Sequence, residues 1–395
     1  PVIACPPIKD TSMYDIYSSI SMPSGISPLT VIGTENAAIS AAKIISLFNE
    51  DVKCLISEYK LNMQHKLNLN DIKCKYEINN CNFLNEKSLD ECVDSGTRTA
   101  KYGKLIRKGK VRDMYDGGPD RLLLVASDRI SAFDRHLTTI PFKGSVLHQV
   151  SNWWFNKTKD IVQNHIIKSH DDRSMIVKKC KVFPIEFVMR SYLTGSTDTS
   201  IWKNYEKGCR MYCGHSLPNG MVKNQKLHQI LLTPTTKDEH DELISENEIL
   251  ENGIITELQW QICKEYSYKL FEYGQKIAKE KGLILVDTKY EFGIDENGEI
   301  LLVDELHTPD SSRYWIQHSY RKNMKEGKEP ESIDKEIVRR WVKENYGDDC
   351  YNLSREIIIP DDIRLKLSSK YLQLHEIITQ KIITQNNQFS REMYR

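Results

Sequence analysis

The residues best suited to chemistry lie close together: Asp287, Lys289 and Glu291 alternate along one run, and Asp304 follows a short hairpin later. On a strand, period two places the first three on one face. Asn297-Gly298, between two alternating runs, is the signature of a two-residue type I′ turn. Counting outward from Glu296 opposite Glu299, this register predicts Glu291 directly across from Asp304. Two facing carboxylates repel. A cation between them removes that cost, and hard oxygen ligands of this kind suit Mg²⁺ carried on nucleotide phosphates. The bland alternative is a solvated charged face, against which stand the apolar flanks Leu283–Val286 and Ile300–Val303.

Three further stretches carry weaker signals. Lys101, Lys104, Arg107, Lys108, Lys110 and Arg112 surround Gly103 and Gly109, a composition that lets backbone N–H groups and a lysine approach phosphate oxygens. It is not a Walker loop, and a basic sheet edge has the same pattern. Arg190-Ser191-Tyr192-Leu193-Thr194-Gly195-Ser196 offers a guanidinium and hydroxyls around a glycine, enough for a phosphomonoester or for an ordinary turn. Asp310 and Arg313, just past the hairpin, could hold the two ends of an amino acid or pair with each other.

The elements that must position these groups follow from pattern. Gly109–Tyr115 and Arg121–Ala126 read as a strand pair, Val146–Phe155 as a helix, and Glu257–Lys281 as a helix on which Leu258, Ile262, Tyr266 and Leu270 recur every fourth residue before Gly282 stops it. Strands followed by helices, without strict alternation, give an α+β architecture in two lobes. Residues 65–100 are polar and read as a linker, with runs such as Asn68–Lys75 weakly structured. Residues 1–64 hold a strand over Pro1–Cys5, a second over Leu29–Ile32, and a helix over Glu35–Phe48 with Ala37, Ala41, Ile44, Ile45 and Phe48 along one face. That is an α/β piece too small to close a core alone.

The 395 residues include 55 basic and 55 acidic side chains, so no polyanion partner such as nucleic acid is implied. Ten cysteines lack a regular framework, which favours reduced thiols; Cys209 and Cys213 lack a second pair for zinc. No apolar run approaches a membrane span. The chain opens on Pro1, so the natural N-terminus is expected to be missing. Compartment is read as cytoplasmic, with a plastid as the alternative.

Taken together, "GKVRDMYD", "ASDRISAFDR", "IPFKGSVL", "FPIEFVMRSYLTGS", "LVDTKYEFG", "LLVDELHTPDSSRYW" and Ile333-Asp334-Lys335-Glu336 resemble the SAICAR synthetase family, in its order, over about 101–375. "GSTDTSIW" and "NWWF" are most similar to its plant-type branch. "PVIACPP", "SMPSGISP" and "ENAAISAAKI" resemble the C-terminal half of aminoimidazole ribonucleotide carboxylase, a flavodoxin-like α/β domain. That family's phosphate loop and catalytic histidine have no counterpart here, so this fragment is expected to be inactive. It is also the expected surface for self-association.

The synthetase resemblance implies a first lobe like a protein kinase N-lobe and a second related to ATP-grasp enzymes. It implies that ATP, with Mg²⁺, drives condensation of L-aspartate with carboxyaminoimidazole ribonucleotide through an acyl phosphate. By resemblance, Lys110 contacts ATP phosphates, Glu291 and Asp304 handle nucleotide and metal, and Arg190 with Ser196 holds the ribonucleotide phosphate. Asp287, Lys289 and Arg313 line the ribonucleotide and aspartate sites, Asp128, Arg129 and Ser131 contribute to substrate binding from the segment that also holds Asp134, and Lys237 and Asp241 lie in a covering loop. A kinase-like phosphotransferase would need a His-Arg-Asp tripeptide, which the chain lacks. The other rival is a degenerate scaffold that binds nucleotide without turnover.

Overall fold

A computed structural model describes residues 3–4, 29–77, 81, 84–94, 102–133, 135–237, 242–352 and 354–383. The chain divides after Asn68 into two units. In the first, β1 (Ile3–Ala4) and β2 (Leu29–Thr30) pair in parallel, and α1 (Thr34–Ile45) follows. The expected apolar face of this helix is not buried: α1 buries no side chain, and Phe48 just beyond it is 89% exposed. So narrow a sheet cannot cover a helix face. Next comes α2 (Glu50–Lys75), with Glu50 and Asp51 in its first turn and Lys73 and Lys75 in its last, the polarity that favours a helix dipole. Asn68–Lys75, expected to be weakly structured, is therefore helix.

The second unit opens with α3 (Glu86–Asp90), capped by reciprocal Asn85–Ser88 hydrogen bonds. Its first lobe contains β3 (Leu105–Lys108), β4 (Arg112–Asp116), β5 (Arg121–Ala126), the hairpin β6 (Arg129–Ala132) and β7 (Arg135–Thr139), helix α4 (Lys143–Thr158), β8 (Ile166–Ser169) and β9 (Ser174–Lys178). The antiparallel sheet runs β3-β4-β5-β9-β8. The expected strand pair is β4 on β5, with Arg112 opposite Ala126.

The second lobe adds β10 (Lys181–Val182), β11 (Ile185–Tyr192), α5 (Ile201–Glu206), the ribbon β12 (Met211–Tyr212) and β13 (His215–Ser216), β14 (Lys226–Leu232), β15 (Thr235–Thr236), α6 (Glu246–Glu251), α7 (Glu257–Glu280), β16 (Leu283–Ile294), β17 (Ile300–Val303), β18 (Ser312–Ile316), α8 (Gln317–Lys325), α9 (Glu336–Tyr346) and α10 (Asp361–Thr379). Its antiparallel sheet runs β10-β16-β11-β14, with β17 and β18 also on β16 and β15 on β11. α7 covers one face, where Trp260 stacks on Phe187 at 5.4 Å. The buried stripe of α7 is Trp260, Cys263, Ser267, Leu270, Phe271, Gly274 and Ala278, whereas Leu258 is 71% exposed. A strict fourth-residue repeat drifts about 40° per step around a helix of 3.6 residues per turn, so the predicted row could not stay on one face.

The hairpin register also differs from the count. Asp295 pairs with Glu299 across three loop residues, Gly298 lies at φ +82, and the Asp295 carboxylate accepts the Asn297 and Glu299 N–H groups at 2.9 and 3.1 Å. A three-residue loop with a left-handed glycine moves every partner by one position. Glu291 therefore faces Val303, not Asp304.

The C-terminal helix α10 packs on α4 and also receives the end of α2. Glu376 accepts hydrogen bonds from Lys75 at 2.9 Å and the Tyr76 hydroxyl at 2.8 Å, and Ser369 donates to the Tyr76 carbonyl at 2.6 Å.

Four of the buried histidines give the core a pH signature. Burial pushes His148, His165 and His375 down to about 4 and His307 to about 3. A depressed histidine stabilises the fold fully above its unfolded value near 6.5 and loses that contribution as pH falls through the folded value. Each then costs about 1.4 kcal/mol per pH unit over that window. Asp334, pushed up to about 6 by burial, opposes this as a single group. The thermal midpoint is expected to fall steadily from pH 7 to pH 5; a flat profile in calorimetry would show that the imidazoles accept protons inside the fold.

Candidate active site

β16 runs through the middle of the site, and its inward alternation sets Asp287, Lys289 and Glu291 on the face away from α7. This is not a solvated face: the Asp287 and Glu291 side chains are 12% and 6% exposed. On β11, Arg190 sits opposite Asp287 and Val188 opposite Lys289, so one further step of the register brings Glu186 across from Glu291. The facing carboxylates are therefore Glu186 and Glu291, and the cation that relieves them is Lys289, ion-paired to Glu186 and 3.4 Å from Glu291. Burial works against the Lys289 charge, but Glu186, Glu291 and Asp304 outweigh it and hold its pKa well above the ordinary lysine value. Lys237 pairs with the other Glu291 oxygen.

Asp287 sits between two arginines. Arg313, its neighbour on β18, pairs with it directly, and Arg190 lies 3.9 Å away on β11. The Arg190 guanidinium is fixed by Nε donating to Thr233 Oγ1 at 2.8 Å and lies 6.0 Å above the Tyr212 ring. Behind Arg313 stands Glu336 at 3.9 Å, beside Ser196. The Ser196 loop is shaped by Gly195 at φ +113, where an added Cβ would come within 2.4 Å of Ser200.

Asp304 ends β17 in the left-handed region, φ +66, which turns its carboxylate off the sheet face. Arg112 of β4 receives it with Nε at 3.1 Å and Nη2 at 2.9 Å, and also reaches Glu305 at 2.9 Å. The two lobes thus meet at this bidentate pair. Lys110 lies two residues earlier, in a turn so tight that a Cβ on Gly109 would overlap the Arg112 carbonyl at 2.3 Å. Ser131 donates to the Lys110 carbonyl at 3.3 Å.

Asp128 and Arg129 are not free to touch a substrate. Asp128 accepts from Val93 and Gly144 N–H groups at 2.6 and 2.8 Å and from Arg173 at 3.2 Å. Arg129 donates to Asp113, to Asp94 at 3.0 Å and to the Gly109 carbonyl at 2.9 Å, which holds the Lys110 turn from beneath. Asp310 and Arg313 do not pair with each other: Asp310 accepts from Lys143 at 2.8 Å and from the Tyr371 hydroxyl at 2.6 Å. Asp134, Asp241 and Lys101 lie outside the described residues.

Glu291 and Asp304 are hard oxygen donors, and each is already neutralised by lysine or arginine. Among the described residues no three His, Cys, Asp or Glu side chains converge as a metal cage. The donor set fits an Mg²⁺ that completes its shell with phosphate oxygens and water, which is how this ion is usually held. Glu186, Thr233 and Lys143 escaped the sequence reading, and Arg112 reads there as a phosphate contact and not as the partner of Asp304. Glu186 left a signal, a carboxylate among the apolar residues that open β11.

A SAICAR synthetase family profile matches residues 105–352, and an AIR carboxylase profile matches residues 1–66. A chloroplastic phosphoribosylaminoimidazole-succinocarboxamide synthase of Arabidopsis thaliana is 54% identical over 74% of this chain and 71% of its own. The synthase of Legionella pneumophila is 52% identical over 70% and 88%. A SAICAR synthase structure from Saccharomyces cerevisiae, complexed with SAICAR, superposes with a TM-score of 0.60 at 35% identity, covering 71% of this chain and 96% of that one. By motif order, by profile and by fold, this chain belongs to the SAICAR synthetase family.

Proposed function

We propose that the cluster around Lys289 joins L-aspartate to the carboxylate of carboxyaminoimidazole ribonucleotide, at the expense of ATP, through an acyl phosphate. A carboxylate is a poor acyl donor. Transfer of the γ-phosphoryl group to its oxygen, with ADP leaving, makes the carbonyl carbon attackable; the aspartate amine then forms the amide and phosphate departs. Such chemistry needs positioned charge more than a protein nucleophile. The observation that carries the reading is the buried alternation of Asp287, Lys289 and Glu291 with a counter-charge for each.

In this reading Lys110 and Lys237 neutralise nucleotide phosphates, and Arg190 with Ser196 holds the ribonucleotide phosphate. Arg313 orients Asp287 against the substrate. Glu291 and Asp304 would hold Mg²⁺, which supplies charge neutralisation at the transferring phosphoryl group. The Arabidopsis thaliana relative named as chloroplastic supports a plastid compartment.

The test is ADP release with ATP, Mg²⁺, ribonucleotide and L-aspartate, omitting each in turn. Release that depends on both acceptors, with amide product, supports the ligase; nucleotide binding without turnover would leave a scaffold. Arg190→Ala is expected to raise the KM of the ribonucleotide by about 10- to 100-fold, the scale of one lost charged contact, with the KM of ATP unchanged. An unaltered ribonucleotide KM would remove Arg190 from the phosphate site.

A further inference from the structure

The charges of the site are matched in pairs. Asp287 has Arg313 and Arg190, Glu291 has Lys237 and Lys289, Asp304 and Glu305 share Arg112, and Asp310 has Lys143. Lys335 is different: its ammonium makes no hydrogen bond or ion pair with any described residue. Its backbone is held firmly. It caps α9, its carbonyl accepts the Val338 and Arg339 N–H groups at 3.1 and 3.2 Å, and its neighbours are engaged with β18. Asp334 accepts the Tyr314 N–H at 3.3 Å, and Glu336 faces Arg313.

The surroundings of the ammonium are mixed. Asp310 and Glu305 attract it from the segment between β17 and β18, while Lys143 of α4 and Arg339 of α9 repel it. Burial and the two like charges win, and its pKa is lowered to about 8. A half-buried cation without a partner is poorly solvated, a cost that an arriving anion removes. Asp310 and Arg313, the pair expected from sequence to clasp an amino acid, are both committed to protein partners, so neither is available.

We propose that Lys335 anchors a carboxylate of the amino-acid substrate. The assignment follows from what remains unmatched. In the ligase reading Arg190 with Ser196 is committed to the ribonucleotide phosphate and Lys110 with Lys237 to the nucleotide, whereas Lys335 stands between Asp334, which is bonded to Tyr314 of β18, and Glu336, which faces Arg313. A carboxylate there compensates the lysine and leaves the protein's own pairs intact.

This rests on the ligase reading above, and wild-type turnover separates the two: an inactive wild-type chain defeats that reading, whereas the variants below defeat only the lysine assignment. Lys335→Met is expected to raise the KM of L-aspartate by about 10- to 100-fold, as for one charged contact, with the KM values of ATP and ribonucleotide held within about twofold. Lys335→Arg, which keeps its charge at all working pH, provides a second measurement that does not depend on the methionine variant folding. The wild-type KM for L-aspartate is expected to rise above about pH 8 as Lys335 loses its proton. The arginine variant lacks that rise, while the amine of aspartate titrates identically with both enzymes. An unchanged aspartate KM in Lys335→Met, a parallel rise in all three KM values, or identical alkaline limbs for lysine and arginine would each overturn the proposal.

Discussion

Glu291→Gln is expected to lower turnover by about a thousandfold or more, the scale seen when a preorganised charge at a transition state is removed. The substitution keeps the volume of the side chain, so packing along β16 survives. What is lost is a charge with three duties. Glu291 is the buried anion between Lys237 and Lys289, it shares Lys289 with Glu186 across the strand pair, and in the proposed mechanism it would be one of the two oxygen donors to Mg²⁺. Without it Lys289 is drawn wholly toward Glu186, and Lys237 loses the contact that fixes it over the site. Steady-state ADP release measures the effect, with circular dichroism as the folding control. Retention of more than about a tenth of the wild-type rate would remove Glu291 from this role.

Lys143→Met is expected to cost about 3–5 kcal/mol of stability, the penalty for stripping one partner from a buried ion pair. The Lys143 and Asp310 side chains are 0% and 3% exposed, so neither has water to fall back on. Burial pushes the Asp310 carboxyl up, but Lys143, then Lys335, and the Tyr371 hydroxyl pull it down and hold it well below the usual carboxylate range. A depressed carboxylate stabilises the fold above its unfolded value near 3.9 and loses that contribution as pH falls through the folded value. In the methionine variant this acid limb disappears, because the uncompensated carboxyl protonates more readily in the fold. Urea unfolding at pH 7 measures the loss of stability, and extending the series below about pH 4 measures the acid limb. A loss under about 1 kcal/mol would mean that Asp310 is satisfied without the lysine. Combining Lys143→Met with Asp310→Asn is expected to recover part of the loss, since no buried charge then remains unpaired.

The sequence made several strands, the helix over Glu257–Glu280 and the one-face alternation of Asp287, Lys289 and Glu291 legible, because those depend on local periodicity, whereas the polar helix Glu50–Lys75 has no apolar stripe to announce it. It misled wherever a single residue of register mattered. Asn297-Gly298 resembles a two-residue turn, but the Asp295 side chain takes up the Asn297 and Glu299 N–H groups and lengthens the loop by one. The idea that opposed carboxylates require a cation was physically sound and attached to the wrong partner; Glu186 lies more than a hundred positions away from Lys289, and no local pattern joins them. The same holds for Arg112 and Asp304, which are 192 positions apart. Buried networks such as Lys143–Asp310–Tyr371 are silent in sequence for another reason: a lysine that will be buried looks like any surface lysine until its partner is known.

The seam at Tyr76 bears on how separable the parts of this chain are. The synthetase profile begins at residue 105, yet α10, whose Tyr371 supports Asp310, is fastened through Ser369 and Glu376 to residues 75 and 76, at the end of a helix that begins inside the carboxylase-like stretch. A fusion of two enzymes is usually pictured as two modules on a tether that can be cut anywhere along its length. Here residues 75 and 76, past the end of the carboxylase profile at residue 66, fasten the last helix of the synthetase unit. Shortening the chain at residues 75 and 76 is therefore an intervention in the synthetase unit itself and not in a passive tether.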